Sequence, residues 1–371
     1  MFDVIVVGAG IWGCTIARRL AEAGRKVLVL EKRGRIGGNC ACEIDSETGI
    51  EIHTYGSHIF HTSNETVWNF VDRFAKFNSY RHCVLANHSG KIYHLPFGRT
   101  LYDEFFGKGN YGLPLNSMQN AAIFDAFIKH YTAKQWGMSA DKVDPRVIKR
   151  LKVRDNYSTD YFDDPYQGIP LEGYNKMFER MLDHENIIVQ CNCEFAFDAG
   201  KAKVKGEGEQ WINSLLSTTS PFVYYSGPID ALFGYKFGAL PWRSLQFETE
   251  KLTAADYQGN SVVNYPDIDV PYTRIHEFKH YHPESEGHLS PPTSTSSHRL
   301  FLTIIMREYP KQWVLGEEPY YPIHNEESAK LLEKYQAAAA KVPGLVIGGR
   351  LGQYKYFDMD KSVEAALAVE I

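Results

Sequence analysis

Apolar and polar positions alternate along the chain with two different periods. Residues 2–7 (Phe-Asp-Val-Ile-Val-Val) form a nearly unbroken β-branched run, as a strand covered on both faces requires. Helical spacing follows to about Ala23, where Gly24 stops it, and residues 26–30 (Lys-Val-Leu-Val-Leu) give a second buried strand that ends at Glu31. From about 65 to 180 the pattern is mainly helical and dense in aromatics, most clearly in FDAFIKHYTAKQW and VIKRLKVRDNYSTDYF. Strand-like runs return at 222–225, 245–250, 261–265 and 302–306 and suggest an antiparallel sheet. Residues 284–298 (ESEGHLSPPTSTSSH) have the composition of a mobile surface loop. Residues 327–340 read as a helix, and 346–350 return to the strand-plus-glycine style of the opening.

Composition narrows the class. At 371 residues, with 44% hydrophobic and 23% charged positions, the chain can bury a large core divided into two or three lobes. A net charge near −5 leaves no basic footprint, which argues against nucleic acid or an anionic membrane as partner, so any phosphate must be held locally. No apolar run approaches the roughly 20 residues that span a bilayer. Cys14, Cys40, Cys42, Cys83, Cys191 and Cys193 lack metal-ligand spacings and read as reduced thiols of a cytoplasmic protein. Asp3 inside the first strand and the absence of a basic leader argue against a signal peptide.

The turn between the first strand and helix reads Gly8-Ala9-Gly10-Ile11-Trp12-Gly13. Its context makes a common motif specific, since a buried strand precedes it, a helix follows it and an acidic residue closes the next strand. Gly8 permits the tight turn, Gly10 lets backbone approach a pyrophosphate, and Gly13 lets helix and strand pack closely. The helix then offers its unpaired N–H groups and positive dipole end to the anion. Glu31 lies 18 residues past Gly13, where a carboxylate accepts from ribose hydroxyls and repels a 2′-phosphate. The following stretch, Glu31 to Asn39 with Lys32 and the pair Gly37-Gly38, resembles the extension of glutathione-reductase-like FAD proteins. Tyr225-Ser226-Gly227-Pro228 resembles the middle return strand of that group, and Gly348-Gly349-Arg350-Leu351 with Asp358-Met359 its closing motif. FAD is the cofactor these three segments imply.

Farther in, the segments YGSHIFHT, FIKHYTAKQWG, YQGIP, SGPID, FETE, VPYTRIHEFKH, REYP, EPYYPI and GGRLGQYKYFDMD resemble the UDP-galactopyranose mutase family along nearly the whole chain. That resemblance implies an FAD-dependent isomerase that interconverts the pyranose and furanose forms of a UDP-linked sugar, with N5 of the reduced flavin as nucleophile on the anomeric carbon. By resemblance, Arg150 and Arg274 hold the diphosphate and stabilise it as it leaves; Tyr161, Tyr321 and Tyr356 hold the phosphates; Phe127, Tyr131 and Trp136 wall the uridine and sugar; and Asn264 joins the substrate set. His61 corresponds to a histidine beside the flavin ring, with His58 and Ile59 on the cofactor. Arg350, Asp358 and Met359 correspond to its diphosphate and ribityl end. Read from the residues themselves, paired arginines are suited to phosphate recognition, and an i, i+4 pair such as Phe127 and Tyr131 shares one helical face. His58 and His61 form an HxxH without a third ligand at supporting spacing, so no metal is expected.

The chain departs from the family between Phe106 and FIKHYTAKQW, where only about twenty residues stand, and at Leu151-Lys152-Val153-Arg154. UDP-N-acetylgalactosamine, UDP-arabinopyranose and a dTDP-6-deoxyhexose therefore stay open as substrates. A flavin oxidoreductase of the amine-oxidase type shares this fold, and fold does not fix function. The expected class is α/β: a Rossmann-like FAD-binding domain from 1–64, 185–240 and 340–371, an inserted mainly helical domain at 65–180, and an antiparallel-sheet substrate domain at 241–339. By resemblance, many family members dimerise through the helical domain, so the assembly the family implies is a homodimer, and the shortened segment leaves the oligomeric state open.

Overall fold

A computed structural model of the chain describes residues 2–110, 121–143, 153–198, 201–218, 221–283 and 302–371. The apolar runs at its start become the centre of a five-stranded parallel sheet. Val4–Val7 lies between Phe222–Tyr225 and Val27–Leu30, with Leu345–Ile347 and Ile187–Gln190 at the edges. All four residues of Val4–Val7 and of Val27–Leu30 are buried, because helices or a second layer cover both faces, and this is why their sequence shows no alternation. The helix Ile11–Glu22 packs on one face, and Arg19 Nη1 donates to the carbonyls of Ala366, in the last turn of the helix Met359–Leu367, and of Val369 just beyond it. The run at Phe222–Tyr225, read with the antiparallel strands, belongs instead to this parallel sheet, where its register with Val4–Val7 places Ile5 opposite Val223.

A seven-stranded sheet forms the second layer, in the order Tyr321–Pro322, Trp242–Leu252, Thr303–Gln312, Arg274–Glu277, Val262–Asn264, Val84–His88, Lys91–Leu95. Neighbours run antiparallel except Val262–Asn264 and Val84–His88, which pair in parallel. The stretch expected to be mainly helical thus lends two strands to the sheet of 241–339. The hairpin 84–95 buries Val84, Ala86, Tyr93 and Leu95 on one face, while Ile92 on the other is exposed, and its edge pairs with Val262–Asn264 of that sheet. The rest of 65–180 carries the helices Glu65–Asp72, Arg99–Phe106, His130–Trp136 and Gly173–Leu182. Residues Phe124–Lys129 wind as a π-helix before His130–Trp136 continues as α. The described part of VIKRLKVRDNYSTDYF, from Val153 onward, is not helical. Arg154 there donates to the carbonyls of Asp160 (2.6 Å) and Tyr161 (2.9 Å), which closes a loop where a helix was expected.

Candidate active site

The glycine turn at the head of the parallel sheet has the geometry its residues demand. Gly8 sits at φ +96°, and a Cβ on Gly13 would lie 1.9 Å from the Gly8 carbonyl oxygen, so strand and helix could not close with a side chain there. Glu31 is buried at the end of the second strand, its Oε2 accepting from the Ala9 N–H and its Oε1 from the Arg33 N–H, both at 2.8 Å. The Gly37 N–H donates to the Ala9 carbonyl at 2.8 Å, which folds the second glycine pair against the first turn.

This turn opens into a cavity of about 1240 Å³ that continues between the two sheets. Clefts for a single small ligand run to about 1,000 Å³, so this one has room for two. One part is lined by Gly8, Gly10, Ile11, Trp12, Glu31, Lys32, Gly38, Asn39, His58, Ile59, Gly227, Arg350, Asp358 and Met359. The other is lined by Phe127, Tyr131, Trp136, Tyr161, Asn264, Arg274, Tyr321 and Tyr356, with His61 also on the wall. Gly13 lies behind the turn and acts through packing, as its contact with Gly8 shows. Arg150 lies outside the described residues.

Aromatic rings join the two parts. Tyr321 and Tyr356 stack with centroids 5.9 Å apart, Trp136 meets Tyr321 at 6.1 Å, and the Arg350 guanidinium lies 4.8 Å from the Tyr356 ring. Arg274 Nη2 donates to the Tyr131 hydroxyl, while its Nε lies 3.5 Å from Glu308 Oε1. Burial opposes the charge on Arg274, but Glu308 more than offsets it and the guanidinium is held firmly protonated. Burial likewise acts to raise the Glu308 carboxyl, yet Arg274 and His276 keep it below the ordinary range. Behind them a buried chain continues from His276 Nδ1 to Ser57 Oγ at 2.5 Å and from Tyr281 OH to Ser57 Oγ at 2.5 Å.

Each histidine of the HxxH pair has its own environment. His58 is pushed down to about 3 by burial, so its imidazole is neutral. His61 Nδ1 lies 2.6 Å from Asp164 Oδ2, and its ring stacks on Phe162 at 3.6 Å. Two groups of metal-capable side chains occur among the described residues, Cys42–Glu51–His53 and Asp256–Glu277–His280, and neither includes the HxxH pair. All six cysteines are unpaired thiols. No helix among the described residues is long and apolar enough to cross a membrane.

A dinucleotide fits what the first part offers. Gly10 has nothing but the Gly38 Cα, at 3.8 Å, beyond its missing side chain, and the buried Trp12 Nε1, Arg33 Nη1, His58 Nδ1 and Arg350 Nε have no protein partner. Buried polar atoms of this kind are normally satisfied, and four of them on residues that line one cavity suit a large polar ligand. Sequence reasoning passed over Glu308, His276, Ser57, Asp164 and Arg33. For Glu308 a signal existed: it is a carboxylate inside the apolar strand Thr303–Gln312, where only a buried partner makes its place tolerable.

Fold and site together define a Rossmann-type nucleotide-cofactor protein whose glycine turn opens into a cavity with room for a second ligand. Similarity to known proteins sharpens this. A model of NAD(P)-binding Rossmann-like domains matches residues 6–74, and the family model of UDP-galactopyranose mutase matches residues 126–356. A probable UDP-galactopyranose mutase of Klebsiella pneumoniae is 37% identical over 98% of this chain and 93% of its own. A dTDP-fucopyranose mutase of Escherichia coli is 35% identical over 99% and 97%. The crystal structure of a reduced UDP-galactopyranose mutase superposes with a TM-score of 0.70 at 14% identity, covering 99% of this chain and 92% of that one. The chain belongs to the UDP-galactopyranose mutase family.

Proposed function

We propose that the protein is a flavin-dependent mutase that interconverts UDP-galactopyranose and UDP-galactofuranose, working with reduced FAD. The observation that carries this reading is the continuity of the cavity: the dinucleotide turn and the Arg274–Tyr131–Tyr321–Tyr356 group line one space. When bound, reduced FAD supplies a nucleophile for the anomeric carbon. The residues supply the rest. Arg274, fixed by Glu308, presents a permanent cation to the diphosphate and stabilises it as charge grows on the leaving UDP. Tyr321 and Tyr356, stacked beside Arg350, and Tyr161 on the same cavity offer phenol groups for the same phosphates, and Arg150, which lies outside the described residues, is assigned to them by the family resemblance alone. Phe127, Tyr131, Trp136 and Asn264 form the wall for uridine and sugar. His61, oriented through Asp164, stands at the flavin side. Glu31 accepts from the ribose of the FAD adenosine and disfavours a 2′-phosphate.

The Escherichia coli relative acts on a dTDP-sugar, as its name states, so a panel of sugar nucleotides is the appropriate test. Dithionite-reduced protein is incubated with UDP-galactofuranose, UDP-N-acetylgalactosamine, UDP-arabinopyranose and dTDP-fucopyranose, and the products are separated by chromatography. The reading expects ring interconversion of the UDP-galactose pair, activity only after reduction, and no stoichiometric use of reductant. Consumption of one hydride per turnover, or equal activity of the oxidised protein, overturns it in favour of an oxidoreductase.

A further inference from the structure

Outside the cavity one cation has a role that neither cofactor nor substrate explains. Lys134, on the helix His130–Trp136, lays its Nζ among four backbone carbonyls, those of Tyr265 (2.6 Å), Asp267 (2.8 Å), Val270 (2.9 Å) and Tyr272 (3.0 Å). An ammonium has three N–H bonds, so four oxygens share them, and the group is held as a small cation is held in a ring of dipoles. All four carbonyls belong to the turn that joins Val262–Asn264 to Arg274–Glu277. The turn leaves from Asn264 and delivers Arg274, and both of these residues line the cavity.

The same helix meets the end of that turn a second time. Tyr131, three positions before Lys134 and therefore its neighbour on the helix surface, accepts a hydrogen bond from Arg274 Nη2. The helix is itself anchored. Buried Arg243 donates from Nε to the Gln135 carbonyl at 3.0 Å and from Nη2 to the Lys134 carbonyl at 3.4 Å, which ties the helix end to the large sheet. Lys134 is thus a link between a fixed helix and the turn that carries the arginine. The turn's own backbone bonds are the Tyr265 N–H to the Thr273 carbonyl (2.8 Å) and the Val270 N–H to the Asp267 carbonyl (3.3 Å); elsewhere Asp267 accepts from the Ser89 N–H (2.7 Å) and the Thr273 N–H donates to the Glu308 carbonyl (2.9 Å), but to the helix the four carbonyls are joined through Lys134.

We propose that Lys134 is a positioning residue, which clamps the 265–272 turn to the helix and so holds Arg274 against Tyr131 in the place where it receives the diphosphate. The proposal rests on the function proposed above. Without the ammonium, four carbonyl dipoles converge on nothing and repel one another, so the turn relaxes away from the helix. Arginine does not replace lysine here, because its planar fork directs its donors outward in one plane and cannot converge on four oxygens.

The test begins with a titration of UDP into the FAD-loaded, dithionite-reduced wild-type protein. Failure of the wild type to bind UDP refutes the proposed function and is distinct from failure of the clamp. Given binding, Lys134→Met is expected to raise the UDP Kd about tenfold, a coupling within the range of neighbouring residues, with the flavin spectrum unchanged. Added ammonium or methylammonium is expected to recover part of that loss, and Lys134→Arg to recover little. In a Tyr131→Phe background the same Lys134→Met change is expected to alter Kd by less than about threefold, because the contact it positions is already gone. A wild-type Kd for Lys134→Met, or a full tenfold effect in the Tyr131→Phe background, overturns the proposal. Should Lys134→Met lose FAD, amide exchange of Lys134→Arg decides: faster exchange across 265–272 supports the clamp, and unchanged protection overturns it.

Discussion

Replacing Arg274 with alanine is expected to exact two separable costs. The first lies within the protein. Glu308 is 3% exposed; Arg274, with Nε at 3.5 Å, is the cation that faces it, and the imidazole of His276, whose pKa burial pushes down, lies with Nε2 at 3.3 Å. Removing one partner of a buried pair costs about 3–5 kcal/mol, since the other charge is left uncompensated. His276 and the Thr273 hydroxyl remain on Glu308, which puts the expected loss near the lower end, about 3 kcal/mol, or a fall in Tm of roughly 4 °C for a chain of this length. The second cost falls on the reaction: a charge-directed donor at a developing anion is worth about 3–4 kcal/mol, or roughly 100-fold to 1000-fold in rate. Tm and kcat/KM of the reduced protein, measured for Arg274→Ala, Glu308→Gln and the double variant, separate the two. The double variant is expected to regain most of the Tm, because no buried charge is stranded, and none of the turnover. Recovery of turnover in the double variant would refute the reasoning, since Arg274 would then act only on Glu308; so would a near-normal kcat/KM for Arg274→Ala.

Gly13→Ala is expected to abolish FAD retention, because its Cβ would lie 1.9 Å from the Gly8 oxygen; the flavin absorbance of the purified variant checks it. Arg150→Ala is expected to cripple turnover while leaving the flavin spectrum intact, with Lys only partly restoring it, and steady-state kinetics against Arg154→Ala tests this. Arg154, bound to the carbonyls of its own loop, is expected to cost stability more than rate. Glu277 is fully buried and accepts from the N–H groups of Tyr257 and Gln258 and from Thr303 Oγ1. Burial opposes its charge, but these donors and His280 pull its pKa down to about 2. Its folded-state pKa is depressed, so the stabilisation, about 3 kcal/mol at the 1.36 kcal/mol that one unit represents, is present above the ordinary carboxylate range and lost as pH falls towards 2. Acid unfolding curves of Glu277→Gln should therefore be flatter below pH 5 than those of the wild type, and parallel curves would contradict the assignment.

What could be read from the chain beforehand was local. The glycine turn, the buried strands around it and the carboxylate at Glu31 are fixed by residues within about thirty positions of one another, and the structure reproduces them. The second sheet was only half visible, because the hairpin 84–95 finds its cover through Val262–Asn264, far along the chain, and neither short strand declares a partner. The same distance concealed the polar scaffold under the site. Arg274 was picked out through the family resemblance, but its setting among Glu308, His276 and Ser57 exists only after three separate segments have met. Lys134 escaped for a similar reason, since its acceptors are backbone carbonyls, which have no signature in sequence.

The parallel sheet has a bearing on how the protein is made. Its central strand, 4–7, precedes by far the strands 187–190, 222–225 and 345–347 that complete the sheet, and the helix Ile11–Glu22 is gripped through Arg19 by carbonyls at 366 and 369. During translation the glycine turn must wait for segments more than three hundred positions later before its flank is closed. A ribosome stalled shortly before residue 345 would therefore present an unfinished sheet edge, and that nascent chain is the form in which this protein most needs a chaperone.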